Sequence, residues 1–260
     1  MLRILNKLAK RETPFDYILI ETTGLADPAP VAQTFFVDED VKENYELDAI
    51  ITVVDAKHIL PHLNEEKTDG VENESVEQVA FADKIILNKM DLVTDNEKQE
   101  VVKKLRAINE FVDIIETQHS EVDLASVLGI KAFDLAKVLQ KEEGFLDTEA
   151  EHEHDNSVAS VGIEFDGALD LVKLNSWLTI LLRDEGVNIF RSKGVLNIAG
   201  TDARYVFQGV HMLMSISSSA DGIGSRPWKK GERRSNRLIF IGRDLNREAI
   251  TAKFKACVAY

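Results

Sequence analysis

Two short polar runs, each directly behind an apolar run, carry the residue types that handle a nucleotide. Tyr17-Ile18-Leu19-Ile20 leads into Glu21-Thr22-Thr23-Gly24-Leu25-Ala26-Asp27-Pro28, and Ile85-Ile86-Leu87 leads into Asn88-Lys89-Met90-Asp91. A carboxylate at the end of a buried strand sits at the carboxyl edge, where open α/β sheets bind ligands. There Glu21 could hold Mg²⁺ directly or through water, and Gly24, having no Cβ, could bring a backbone N–H to a terminal phosphate. In Asn88-Lys89-Met90-Asp91 the Asp91 carboxylate can accept hydrogen bonds from N1 and N2 of guanine, a donor pair that adenine lacks. The stem of Lys89 can lie over the base, and Asn88 can brace the loop from behind. Either run alone also reads as an ordinary strand-to-loop turn; their order and their positions behind strands make them half of a GTP site.

The other half of such a site is a glycine-rich loop ending Gly-Lys-Ser or Gly-Lys-Thr, which wraps phosphates in backbone N–H groups. No such run occurs between Met1 and Tyr260.

The elements that would position these residues follow an α/β pattern up to about Asp147. Strands are expected at 16–21, 48–55, 84–87 and 112–116. A helix lies between the last two: Thr94 and Glu97 can form a capping box, and Val101, Leu105 and Ile108 share one face. The first residues, with Leu2, Leu5 and Leu8 at helical spacing and Ile4 beside them, read as a helix rather than a secretory signal. The expected division is an α/β unit over 1–147, an acidic linker over 148–157 containing His152 and His154, and a second unit over 158–260. In the second unit, strands are expected at 158–165, 194–199, 204–216 and 237–242. A helix through Leu171, Leu174, Leu178, Leu181 and Leu182 closes at Gly186, and a final helix starts near Arg247. This is an α+β arrangement of helices on one face of a small antiparallel sheet.

Composition narrows the partners. With 31 basic against 45 acidic side chains the formal net charge is -14, which disfavours nucleic acid. The basic stretch Arg226 to Arg234, with Trp228, is the local exception and reads as a solvated loop or a protein contact. The single cysteine, Cys257, fits a reducing compartment, cytoplasmic or organelle-stromal, and no apolar run is long enough to cross a membrane. His152 and His154 have zinc-ligand chemistry, but a closed site needs four ligands. His211 reads as a core or interface residue in the register of the 204–216 strand. His58 and His62 read as residues flanking the helix after Asp55.

The chain resembles the CobW-type metallochaperone GTPases, including the zinc-regulated GTPase metalloprotein activators. The resemblance rests on Ile20 to Pro28, on Val54-Asp55-Ala56-Lys57-His58, and on Asn88-Lys89-Met90-Asp91. In the second unit it rests on Val195 to Gly200, Phe207 to His211 and Leu238 to Arg243. It implies a P-loop-GTPase-like, doubly wound, mostly parallel sheet followed by a smaller α+β C-terminal domain. It also implies GTP and Mg²⁺ as ligands, Zn²⁺ or another divalent metal as cargo and a client metalloprotein as partner, and leaves a homodimer open. Thr117 and Gln118 would add backbone contacts to the base by this resemblance alone. The family also carries a first strand, a phosphate loop and a Cys-x-Cys-Cys segment that residues 1–260 do not contain. The chain is therefore expected to be a shortened form that alone neither binds GTP tightly nor hydrolyses it. The alternative is a non-catalytic interaction protein or adaptor using its second domain.

Overall fold

The computed structural model describes residues 1–24, 26–65, 73–132, 158–219 and 227–259. The linker histidines His152 and His154 therefore lie outside the described residues. Three parallel strands, β1 (Ile51–Asp55), β2 (Lys84–Asn88) and β3 (Asp113–Glu116), form a sheet in the order β1-β2-β3. Preceding them are α1 (Leu2–Ala9), α2 (Ala29–Val37) and α3 (Glu39–Asn44). Parallel neighbours need crossover connections. Here these are α4 (Ile59–Leu63) with α5 (Glu74–Phe81), and then α6 (Asp95–Ile108).

The start of α6 follows from side-chain chemistry. Thr94 Oγ1 accepts the Glu97 N–H, while the Glu97 carboxylate accepts the Thr94 N–H at 2.7 Å, so two orphan donors of the first turn are satisfied. One stripe of the helix, Val101, Leu105 and Ile108, is fully buried and fixes which face meets the sheet.

The expected strand over 16–21 does not form. A strand is held by ladder hydrogen bonds, and among the described residues this segment pairs with no neighbouring strand; Leu19 is 80% exposed. The N-terminal helix does form, but of its apolar positions only Leu5 is buried.

Beyond the first sheet come β4 (Val158–Asp166), α7 (Leu171–Glu185), β5 (Ile189–Asn197), β6 (Arg204–Val210), β7 (Leu213–Ser218), β8 (Ser235–Arg243) and α8 (Arg247–Lys255). The strands form an antiparallel sheet in the order β4-β8-β5-β6-β7. Leu174, Trp177, Leu178, Leu181 and Leu182 of α7 and Phe254 of α8 pack on one face with Phe207, Leu238 and Phe240. The α/β plan with an antiparallel C-terminal sheet thus matches the sequence reading.

Two boundaries differ. β5 begins at Ile189 rather than near Gly194, and the expected strand over 204–216 is a hairpin. His211 sits at its turn with φ +51°, so the alternation that places a histidine in strand register stops at Val210. The His211 ring instead packs on Phe81 and Phe190, centroids 5.5 and 5.7 Å away. Other residues also cross between the sheets: Val158, Phe190, Val210 and Ile241 share one apolar cluster with Phe81, Leu105, Ala29 and Ala32.

Candidate nucleotide site

The ends of β1 and β2 are level, because Asp55 pairs with Asn88 in the parallel register. Everything that follows β1, β2 and β3 therefore emerges at one carboxyl edge. Asn88 is the hub there. Its Oδ1 accepts from Thr117 Oγ1 at 3.1 Å and from the Ser120 N–H at 2.9 Å, and its Nδ2 donates to Ser120 Oγ at 2.8 Å. The Met90 N–H donates to the Thr117 carbonyl at 3.1 Å. One carboxamide thus ties the loop after β2 to the loop after β3.

Lys89 occupies the left-handed region at φ 64°, which few non-glycine residues adopt. This conformation turns the chain out of β2 into a short 3-10 helix, Met90–Leu92, on which Asp91 is exposed. Thr117 is buried and Gln118 exposed, and His119 and Ser120 are also left-handed, at φ 52° and 57°.

The other predicted half lies on a separate loop. Glu21 and Gly24 are exposed, and the loop is fastened through the carbonyls of Thr23 and Ala26, which accept Gln78 Nε2 of α5 at 3.3 and 2.9 Å. Asp27 accepts the Ala29 N–H at 2.8 Å and so starts α2. A Cβ on Gly24 would meet nothing within 4 Å among the described residues.

Asp55, at the end of β1, is a residue to which the sequence pattern alone assigns no role. Its carboxylate accepts Lys89 Nζ at 2.7 Å, the Lys57 N–H at 2.9 Å and contacts His58 Nδ1 at 3.0 Å. Burial pushes the Asp55 carboxyl up, but the hydrogen bonds from Lys89, His58 and Lys57, with the Lys89 charge, outweigh it and hold it at about 2. Its signal was available: a carboxylate at the end of a buried strand, the reasoning applied to Glu21, applies equally to Asp55. His58, read as a bystander, is one of its partners.

Two arginines of the basic stretch, and Arg204 beside it, are paired with neighbouring carboxylates. Arg204 pairs with Glu232 and lies over the Trp228 ring at 4.2 Å, Arg233 pairs with Asp166, and Arg234 with Asp202. Among the described residues no group of three or more His, Cys, Asp or Glu is arranged to hold a metal, and no helix is long and apolar enough to cross a membrane.

The CobW/HypB/UreG nucleotide-binding domain model matches residues 1–116, and the cobalamin synthesis protein CobW C-terminal domain model matches residues 158–258. Zinc chaperone YjiA of Escherichia coli is 32% identical over 258 residues, 98% of this chain and 74% of that protein. The chain belongs to the CobW family. Another relative, zinc-regulated GTPase metalloprotein activator 1 of Schizosaccharomyces pombe, is 30% identical over 95% of this chain and 65% of its own length. The crystal structure of Zn(II)-bound YjiA GTPase superposes with a TM-score of 0.79 at 30% identity, covering 99% of this CobW-family chain and 76% of that one.

Proposed function

We propose that this chain is a GTP-dependent metallochaperone of the CobW type, which passes zinc or another divalent metal to a client metalloprotein in the cytoplasm or an organelle stroma. Relatives named as zinc chaperones and GTPase metalloprotein activators support the reading. The observation that carries it is the Asn88 carboxamide joining the 88–91 and 117–120 loops at the carboxyl edge of the sheet. In this reading Asp91 accepts N1–H and N2–H of guanine, Lys89 covers the ring, Asn88 braces the loop, and Thr117 and Gln118 line the base edge. Glu21 and Gly24 serve the magnesium and phosphate end. Mg²⁺ takes one or two carboxylates together with phosphate oxygens and waters, and the exposed Glu21 carboxylate fits that donor set. The assignment of 1–147 to nucleotide, 148–157 to a linker and 158–260 to a C-terminal domain belongs to the same proposal.

Because residues 1–260 contain no phosphate loop, this polypeptide alone is proposed to bind GTP weakly and not to turn it over. Nuclear magnetic resonance titration tests the base assignment without requiring tight binding. GDP should shift the amides of 88–91 and 117–120, and ADP should not. Asp91→Asn should lose the GDP response and acquire one to xanthosine diphosphate, whose base carries oxygen where guanine has its amino group. A site built on such hydrogen bonds rejects an unmatched analogue by up to about 10⁴ to 10⁵. No response to millimolar GDP would overturn the nucleotide reading; micromolar binding of a fluorescent GTP analogue would overturn the weak-binding part.

A further inference from the structure

The run Asp55-Ala56-Lys57-His58 touches the 88–91 loop at two places and the start of α6 at a third. The Ala56 N–H donates to the Asn88 carbonyl at 3.0 Å, Asp55 holds Lys89 at 2.7 Å, and Lys57 Nζ meets Glu97, at the start of α6, at 2.7 Å. We propose that Asp55 is a positioning residue for nucleotide affinity, fixing the Lys89 side chain so that its stem lies ready across the purine ring. This rests on the guanine reading above.

The argument is geometric. Lys89 is 47% exposed and Asp55 31%, and pairs this open to water contribute little to stability. What the pair does accomplish is to select one arrangement of a side chain with a flexible four-carbon stem. Asp55 is suited to this because it is itself fixed, by the Lys57 N–H and His58 Nδ1, on a strand in register with the one that bears Lys89. Ordering a long side chain before the ligand arrives spares that cost at binding, and such a side chain is worth about two- to tenfold in affinity.

GMP and IMP binding, followed by amide shifts of 88–91 and 117–120, separates positioning from mere support. IMP lacks the N2 amino group that Asp91 reads, whereas a stem over the ring serves both bases. Asp55→Asn should weaken both by the same factor, about two- to tenfold, leaving the GMP-to-IMP ratio unchanged. In a Lys89→Met background Asp55→Asn should cause no further loss, as expected of two residues acting through one contact. Lys89→Met alone cuts the same pair from the other side and keeps the test decisive if Asp55→Asn fails to fold: equal losses for GMP and IMP support the proposal, no loss overturns it. Unchanged or tighter GMP binding in folded Asp55→Asn, a changed GMP-to-IMP ratio, or a full additional loss in the Lys89→Met background would each overturn it. If Lys89→Met and Asp91→Asn weaken GMP but Asp55→Asn does not, this inference fails and the guanine reading stands. If GMP shifts none of these amides in the parent chain, both fail.

Discussion

Asp83, the residue before β2, and Arg191 of β5 form a buried ion pair between the two sheets, with side chains only 1% and 4% exposed. Asp83 also accepts Lys193 Nζ at 2.5 Å and the Ile50 N–H at 2.9 Å, while Arg191 donates to the Phe81 carbonyl and Lys193 to the Ala132 carbonyl. These contacts gather at the amino ends of β1 and β2, the end of the sheet opposite Asp55 and Asn88. The second sheet is therefore fastened to the first without occupying the edge that carries the 88–91 loop.

Asp83→Asn leaves the buried Arg191 and the partly buried Lys193 without that carboxylate, a change that costs about 3 to 5 kcal/mol. Replacing all three, Asp83→Leu with Arg191→Met and Lys193→Met, should cost less, since the charge left behind dominates the penalty. Urea unfolding midpoints check the order. Burial pushes the Asp83 carboxyl up, but Arg191 and Lys193 hold it below its usual value of 3.8. The stability it contributes is thus fully present above 3.8 and lost as pH falls through the depressed value. Asp83→Asn should flatten the acid limb of the stability curve.

What could be read from the sequence divides by distance along the chain. The capping box of Thr94 and Glu97 and the stripe Val101, Leu105 and Ile108 are local, and all are present. That Asn88 and Lys89 stand at the end of a strand was legible because a short apolar run precedes them immediately. The pairings of Asp55 with Lys89 and of Asp83 with Arg191 were not, because these partners lie 34 and 108 residues away and no periodicity encodes such pairings. The segment 16–21 has the composition of a strand, yet composition supplies no neighbour to pair with. His211 has alternating neighbours, and the turn is visible only in its positive φ, which sequence patterning does not report.

Thr94→Ala should cost about 0.5 to 2 kcal/mol by removing the cap of α6. The readable consequence extends to Glu97, whose carboxyl the Lys57 hydrogen bond, followed by those from the Thr94 N–H and hydroxyl, holds at about 2 against an ordinary 4.5. Its contribution is present above 4.5 and fades as pH falls toward 2. Carbon-13 titration of Glu97 should show an upward shift in Thr94→Ala and a larger one in Lys57→Met; an unmoved titration in Lys57→Met would contradict the order of causes.

Gly194 is needed for close approach rather than for an unusual backbone. A Cβ there would lie 2.5 Å from Leu238 Cδ2 and 2.6 Å from the Arg237 carbonyl oxygen on β8. The backbone oxygen cannot swing aside, so Gly194→Ala must push β5 and β8 apart, at about 1 to 3 kcal/mol. Adding Leu238→Ala should relieve only the side-chain part of the clash. Thermal melts of the single and double variants measure that division.

Leu19 and Leu105 give the sharpest contrast within the first unit. Both belong to segments whose apolar character suggested a core position, yet Leu105 is fully buried and Leu19 is 80% exposed. Leu105→Ala opens a cavity behind the sheet and should cost about 2 to 5 kcal/mol. Leu19→Ala removes side-chain surface already in water and should stay within about 0.5 kcal/mol of the parent. Urea melts of the two variants side by side decide whether 16–21 contributes to the core: equal losses would mean that this segment packs as a strand in solution.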